Sequence, residues 1–119
     1  MCSGRFAILE HRTEQGVHWD FLLEWDDVLR TWALERPPAP GLPIAATRLL
    51  DHRKLYLDYE GPVSRNRGSV RRWDCGTYQL LAESERSLVV ELTGHTLLGR
   101  VTLSSAGEGA EGWLLEFEA

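Results

Sequence analysis

The chain has little cysteine, and what it has is badly placed for covalent or metal scaffolding. Cys2 and Cys75 are its only two thiols; they form neither a CxxC pair nor a disulfide framework, and neither sits near a base that would activate it. Structural zinc and thiol chemistry are set aside, and a reducing compartment, the cytoplasm, is expected. No apolar run approaches the length of a membrane span or a signal sequence. There is no glycine-rich phosphate loop and no GxSxG elbow, so nucleotide hydrolysis and serine hydrolysis have no support. Positive charge is in deficit: 13 Lys and Arg stand against 18 Asp and Glu, a formal net charge of −5. A protein that coats nucleic acid by neutralising phosphates has the opposite balance. Local clustering still counts, because Arg65, Arg67, Arg71 and Arg72 fall within eight residues. Such a cluster suits contact with the few phosphates near a strand end, and from the residues alone a solvated strand and loop explains it equally well.

Helical periodicity is also scarce; only residues 36–50 are long enough to hold a turn or two, and no internal repeat or low-complexity segment occurs. What is present is a series of short alternating stretches divided by turn residues. Residues 6–10, 17–25, 28–35, 44–50, 69–73, 77–82, 87–93, 96–104 and 113–118 read as strands. Asp26-Asp27, the prolines at 37, 38, 40 and 43, Gly61-Pro62, Asp74-Cys75-Gly76 and Gly94-His95 read as the breaks between them. Residues 55–60 form a short mixed segment, and SAGEGAEG at 105–112 reads as a mobile loop. With 119 residues the chain is expected to form a single domain, all-β, an antiparallel barrel or sandwich of about eight short strands with little helix.

The stretch that organises the rest is HRTEQGVHWDFLLE, residues 11–24. Alternation places Val17, Trp19, Phe21, Leu23 and Trp25 on one strand face, a core face, and His18, Asp20, Leu22 and Glu24 on the other. His18 and Asp20 then project side by side, about 6 to 7 Å apart along the strand. His11 joins them if the polar connection at 12–16, with its glycine, turns the chain back. Two neutral imidazoles and one carboxylate form a facial set that suits a divalent transition metal such as Mn²⁺, Fe²⁺ or Zn²⁺ and leaves positions open. Glu10 and Glu24 flank the set and are candidates to orient an imidazole or accept a proton. His95, in a turn, reads as a surface residue.

Four blocks occur in order along residues 5–104: FAILEH with HWDFLLE and VLRTWALERPP, then DHRKLYLDYEG at 51–61, WDCGTY at 73–78 and GHTLLGRVTL at 94–103. In this order the sequence resembles the 3′-phosphoesterase domain of bacterial DNA ligase D, a repair enzyme that trims 3′ ends before nonhomologous end joining. The resemblance implies a metal-dependent hydrolase, a single phosphoesterase-like domain over 1–119, that removes a 3′-phosphate or 3′-ribonucleotide from DNA ends. It implies manganese, with zinc or another transition metal as alternatives, held by His11, His18 and Asp20. His52 and Tyr56 match the family's active-site histidine and tyrosine that contact the scissile phosphate. The implied partners are nucleic acid 3′ ends, together with ligase or polymerase repair proteins encoded separately. Three departures stand out. The family's phosphate-binding arginine two residues after the metal aspartate is Leu22 here, expected to face the phosphate pocket. The gap between the two ligand histidines is one residue longer. The family's glycine-rich segment before the WD block is replaced by PVSRNRGSV, where Arg65 or Arg67 is placed to supply the missing cation. The alternative is a catalytically weak module that keeps the fold and metal site and binds nucleic-acid ends or a protein.

Overall fold

Alternating stretches bury their apolar side only when neighbouring strands pair and curl, and here the curl closes. The computed structural model describes residues 3–105 and 112–119. Its strands are β1 (Ser3–Thr13), β2 (Gly16–Trp25), β3 (Val28–Leu34), β4 (Ile44–Arg53), β5 (Gly61–Pro62), β6 (Ser69–Glu83), β7 (Ser87–Gly94), β8 (Leu98–Ser105) and β9 (Gly112–Glu118), with a single turn of 3₁₀ helix, η1 (Lys54–Leu57), after β4. The order β1-β2-β3-β4-β9-β8-β7-β6 is closed by pairing of β1 with β6, and every pairing is antiparallel. This is an eight-stranded barrel, with the two-residue β5 lying on β6. Closure removes the sheet edges that an open sheet would expose. Among the described residues no helix is long and apolar enough to cross a membrane.

The strand reading from sequence holds with two corrections. Residues 69–73 and 77–82 are one continuous strand, β6, because Asp74-Cys75-Gly76 makes no turn. Instead Asp74, almost fully buried, accepts backbone N–H bonds from His95, Thr96 and Leu97 in the β7–β8 turn, as well as from Cys75. A Cβ at Gly76 would lie 2.1 Å from the Thr93 carbonyl oxygen, so close strand approach explains that glycine. The second correction concerns residues 36–50, which contain no helical turn; the described helix lies later, at η1. The loop expected at 105–112 falls for the most part on residues 106–111, outside those described.

Two cores result. The barrel interior is filled from all eight strands by residues including Phe6, Phe21, Trp32, Val90, Leu103 and Phe117. Trp19, Phe21, Leu23 and Trp25 all join it, as the alternation predicts, while Val17 is exposed. A smaller cluster sits on the outer face of β1, β2, β3 and β6, where Ala7, Leu9, Leu22, Leu29 and Val70 are capped by Leu57 of η1. The segment after β4 therefore acts as a strap across the outside of the barrel. Lys54 pairs with Glu24 at 3.2 Å, Asp58 with Arg5 at 2.7 Å, and the Arg72 N–H donates to Glu60 at 2.8 Å. These exposed pairs add little individually; burial of Leu57 supplies the larger share, about 1.5 to 3 kcal/mol for a leucine side chain.

Candidate functional site

The site lies on the outer face of the β1–β2 hairpin, beside the strap. A two-residue turn, Glu14-Gln15, sets the register so that His11 and His18 stand directly opposite each other, with Asp20 opposite Leu9. Side chains at 9, 11, 18, 20 and 22 share that face, so one hairpin brings all three polar groups together. Donor atoms of His11, His18 and Asp20 lie within 4.8 Å of one another, and the two rings sit 4.6 Å apart.

Hydrogen bonding decides which imidazole atoms face the carboxylate. His11 Nε2 lies 2.7 Å from the main-chain carbonyl oxygen of Arg67. A carbonyl only accepts, so Nε2 carries the proton and Nδ1 is left with its lone pair. That Nδ1 stands 3.1 Å from Asp20 Oδ2. Two lone pairs at this distance call for a cation between them, either a proton or a metal ion. The proton alternative has its own electrostatic basis: the hydrogen bond to the Asp20 carboxylate raises the His11 pKa above its ordinary 6.5, against the opposing effect of burial, and the Arg67 carbonyl adds to the rise. For Asp20, burial alone would push the pKa up, but the two imidazoles together outweigh it and hold the carboxyl below its ordinary 3.8.

The other carboxylate oxygen is more telling. Asp20 Oδ1 is buried and has no hydrogen-bond partner, although His18 Nε2 is 2.9 Å away. The His18 nitrogen stands at ion-pair distance from this oxygen without completing an aligned hydrogen bond to it. An unsatisfied buried carboxylate oxygen is costly, and a divalent cation held by both imidazoles and Asp20 removes that cost. The donor set, two nitrogens and carboxylate oxygen without thiolate, is one that Mn²⁺, Fe²⁺ and Zn²⁺ accept. His11, His18 and Asp20 thus form a group that could hold a metal ion.

Gly68 builds the contact to Arg67. Its φ of +85° is left-handed, and a Cβ there would come within 1.9 Å of the Arg12 carbonyl oxygen. Only glycine lets the 63–68 loop, closed by the Val63 N–H to Gly68 carbonyl bond of 2.8 Å, lie this close to the hairpin.

Beside the cluster opens a cavity of about 490 Å³ whose lining includes His11, Asp20, His52, Arg53, Tyr56 and Arg67. The structure therefore brings His52 and Tyr56, far away in sequence, to the same place as the histidine cluster; their rings meet edge to face at 5.9 Å. His52 Nδ1 donates to the Leu50 carbonyl oxygen at 2.9 Å, which leaves Nε2 for other partners. Arg67 lines the cavity, with its guanidinium donating to Ser64; Arg65, in a left-handed conformation with φ of 62°, is not part of the lining. Leu22 shares the face of His18 and Asp20 as expected, but does not face the cavity: it is fully buried in the outer core beneath Leu57. The strap covers that position, something the alternation alone does not reveal. Glu10 is paired with Arg12, while Glu24 accepts from Arg5 N–H and Lys54 at the far end of the strand; neither contacts an imidazole. His95 is exposed in the β7–β8 turn. Sequence reading missed Arg53, whose only signal is its place next to His52, and missed the Arg67 carbonyl, which no side-chain pattern announces.

Comparison with known proteins gives the same direction. The DNA Ligase D 3′-phosphoesterase domain family matches residues 9–105. The multifunctional non-homologous end joining protein LigD of Pseudomonas aeruginosa is 30% identical over 106 residues, which is 81% of this chain and 12% of that protein. The multifunctional non-homologous end joining DNA repair protein LigD of Mycobacterium tuberculosis is 32% identical over 107 residues, 82% of this chain and 14% of that protein. The chain thus spans only a small part of the relatives it matches. A match that runs from the first ligand-bearing strand to the end of β8, over a barrel that sets His11, His18 and Asp20 on one face, settles kinship: the chain belongs to the DNA ligase D 3′-phosphoesterase domain family.

Proposed function

We propose that this chain is a divalent-metal-dependent phosphoesterase acting on 3′ ends of DNA in repair, removing a 3′-phosphate or a 3′-terminal ribonucleotide, with residues 1–119 working as one phosphoesterase-like domain. The observation that carries the reading is the buried Asp20 carboxylate, with one oxygen 2.9 Å from His18 Nε2 and the other 3.1 Å from His11 Nδ1, in a cluster whose donor atoms all lie within 4.8 Å of one another. Manganese is the ion we assign to His11 Nδ1, His18 Nε2 and Asp20; when bound it supplies positive charge at phosphoryl oxygens.

The chain's own groups then divide the remaining work. In 3′-phosphate removal, a water oxygen bonds to phosphorus as the bond from phosphorus to the 3′ oxygen breaks, and the 3′ oxygen takes up a proton to leave as a hydroxyl. His52, with Nδ1–H committed to the Leu50 carbonyl, delivers that proton from Nε2 in its doubly protonated form, and the proton given up by the attacking water returns to Nε2 after the bond breaks. The Tyr56 hydroxyl, in the same cavity, donates to a non-bridging phosphate oxygen. Arg67 and Arg53, which line the cavity, supply cationic contacts to the phosphate, and Arg65, two residues before Arg67 and outside the lining, is the further cation of that loop. Burial of Leu22 favours a second reading, a binding module of low turnover, because no cation arises from that position.

Incubation with 3′-phosphorylated DNA and with a primer ending in one ribonucleotide, with and without Mn²⁺, tests the proposal. Metal-dependent release of phosphate or of the ribonucleotide is the expected result. No processing with any divalent metal, together with retention of labelled DNA ends in a gel shift, selects the binding module. The cytoplasm, together with ligase or polymerase repair activities, is the setting we assign.

A further inference from the structure

One apolar side chain at the site has no packing partner to justify it. Leu50 is 89% exposed, yet it lines the same cavity as His11, Asp20 and His52. Its position comes from a β-bulge. Leu29 pairs with His52 and Thr31 with Leu49, so two residues of β4, Leu50 and Asp51, stand against the single Arg30 of β3. The bulge does two things at once: the Leu50 carbonyl fixes His52 Nδ1 at 2.9 Å, and the Leu50 side chain is turned out into solvent at the cavity rim. Leu49, Tyr56 and Val63 give the cavity an apolar stretch of wall beside Leu50, alongside the polar Asp51, His52, Arg53 and Arg67.

A phosphate alone has no use for such a wall. The cavity, about 490 Å³, has the size of a small-molecule site rather than of one anion. A 3′-terminal phosphate reaches the cluster only with its nucleoside attached, and the planar face of a base is the apolar surface that nucleoside brings.

We infer that Leu50 is a specificity-determining residue that packs against the base of the 3′-terminal nucleoside. This rests on the phosphoesterase reading and deepens it. The site then requires that a base be present but does not distinguish which one, since a leucine makes no hydrogen bond to a base edge.

The test uses the full chain with Mn²⁺ and two duplexes that differ only in the 3′-terminal nucleotide, one carrying a base and one abasic, both ending in 3′-phosphate. Turnover and equilibrium binding by fluorescence anisotropy are measured for wild type, Leu50→Ser and Leu50→Met. Because Leu50 is exposed, neither substitution should shift the melting temperature. Wild type is expected to favour the base-bearing end. Leu50→Ser should weaken that end about five- to tenfold in KM and Kd with little change in kcat, as expected for loss of part of a leucine's apolar contact. The abasic end should be unaffected, and Leu50→Met should retain the preference. Equal KM and Kd for Leu50→Ser and wild type on the base-bearing end overturns the inference while leaving the phosphoesterase reading intact. Absence of turnover in wild type overturns that reading, and the anisotropy comparison still decides whether Leu50 meets the base. If the base-bearing end does not bind at all, both fail.

Discussion

The His11 imidazole and the Arg67 main-chain carbonyl are joined at 2.7 Å across a sequence separation of 56 residues, and this one bond determines which ring nitrogen faces Asp20. A residue that binds metal through Nδ1 needs its Nε2 proton anchored in this way.

Metal affinity should be lost in His11→Ala and His18→Ala, and should depend on pH in wild type. The His11 pKa is raised above 6.5 by Asp20, so the metal-free protein keeps a proton on His11 to a higher pH than a free histidine does. Affinity should therefore begin to fall above pH 6.5 and drop further on acidification. Titration calorimetry with Mn²⁺ or Zn²⁺ checks both points; unchanged affinity in His18→Ala would place the ion elsewhere.

Stability of the metal-free protein should carry the opposite signature. With a raised pKa, His11 contributes stability that is complete below 6.5 and is lost as pH rises through the folded value. With a lowered pKa, Asp20 contributes stability that is present above 3.8 and is lost as pH falls through its folded value. The loss of melting temperature in Asp20→Asn should be greatest between these limits, on the acid side of neutrality. A pH-independent difference would mean that the three groups are uncoupled.

Gly68→Ala should weaken metal binding about 10- to 100-fold, the usual effect of losing an outer partner of a ligating histidine. A Cβ at this position meets the Arg12 carbonyl oxygen at 1.9 Å, so the loop must retreat and take the Arg67 carbonyl with it. His52→Ala, by contrast, should leave metal affinity unchanged while lowering 3′-end processing by roughly 10² to 10⁴, the usual contribution of a general acid or base. Calorimetry and end-processing assays on the pair separate the two roles.

Leu22→Arg should destabilise the fold rather than complete the site. The side chain is fully buried between β1, β2 and the Leu57 cap, and a charge placed there without a partner costs several kcal/mol. Denaturant titration should show a loss of about 3 kcal/mol or more. A stable Leu22→Arg with increased 3′-phosphatase activity would show that the strap opens to admit the cation.

The sequence by itself determined the strand content, the two faces of β2 and the pairing of His18 with Asp20, because each depends on a period of two that is local to the chain. A short polar connection with a glycine was enough to bring His11 across from His18. His52 and Tyr56 were legible only through resemblance, since they reach the site by way of strand order and a bulge, neither of which leaves a periodic trace. Asp74-Cys75-Gly76 shows the same limit from the other side. Turn-like residues stay in a strand because a buried carboxylate is satisfied by amides about 20 residues away. Leu22 was placed on the correct face but in the wrong surroundings, because a strand pattern says which way a side chain points and nothing of what later folds over it. Only the closed barrel, with its strap, decided that this face is half histidine–aspartate cluster and half core.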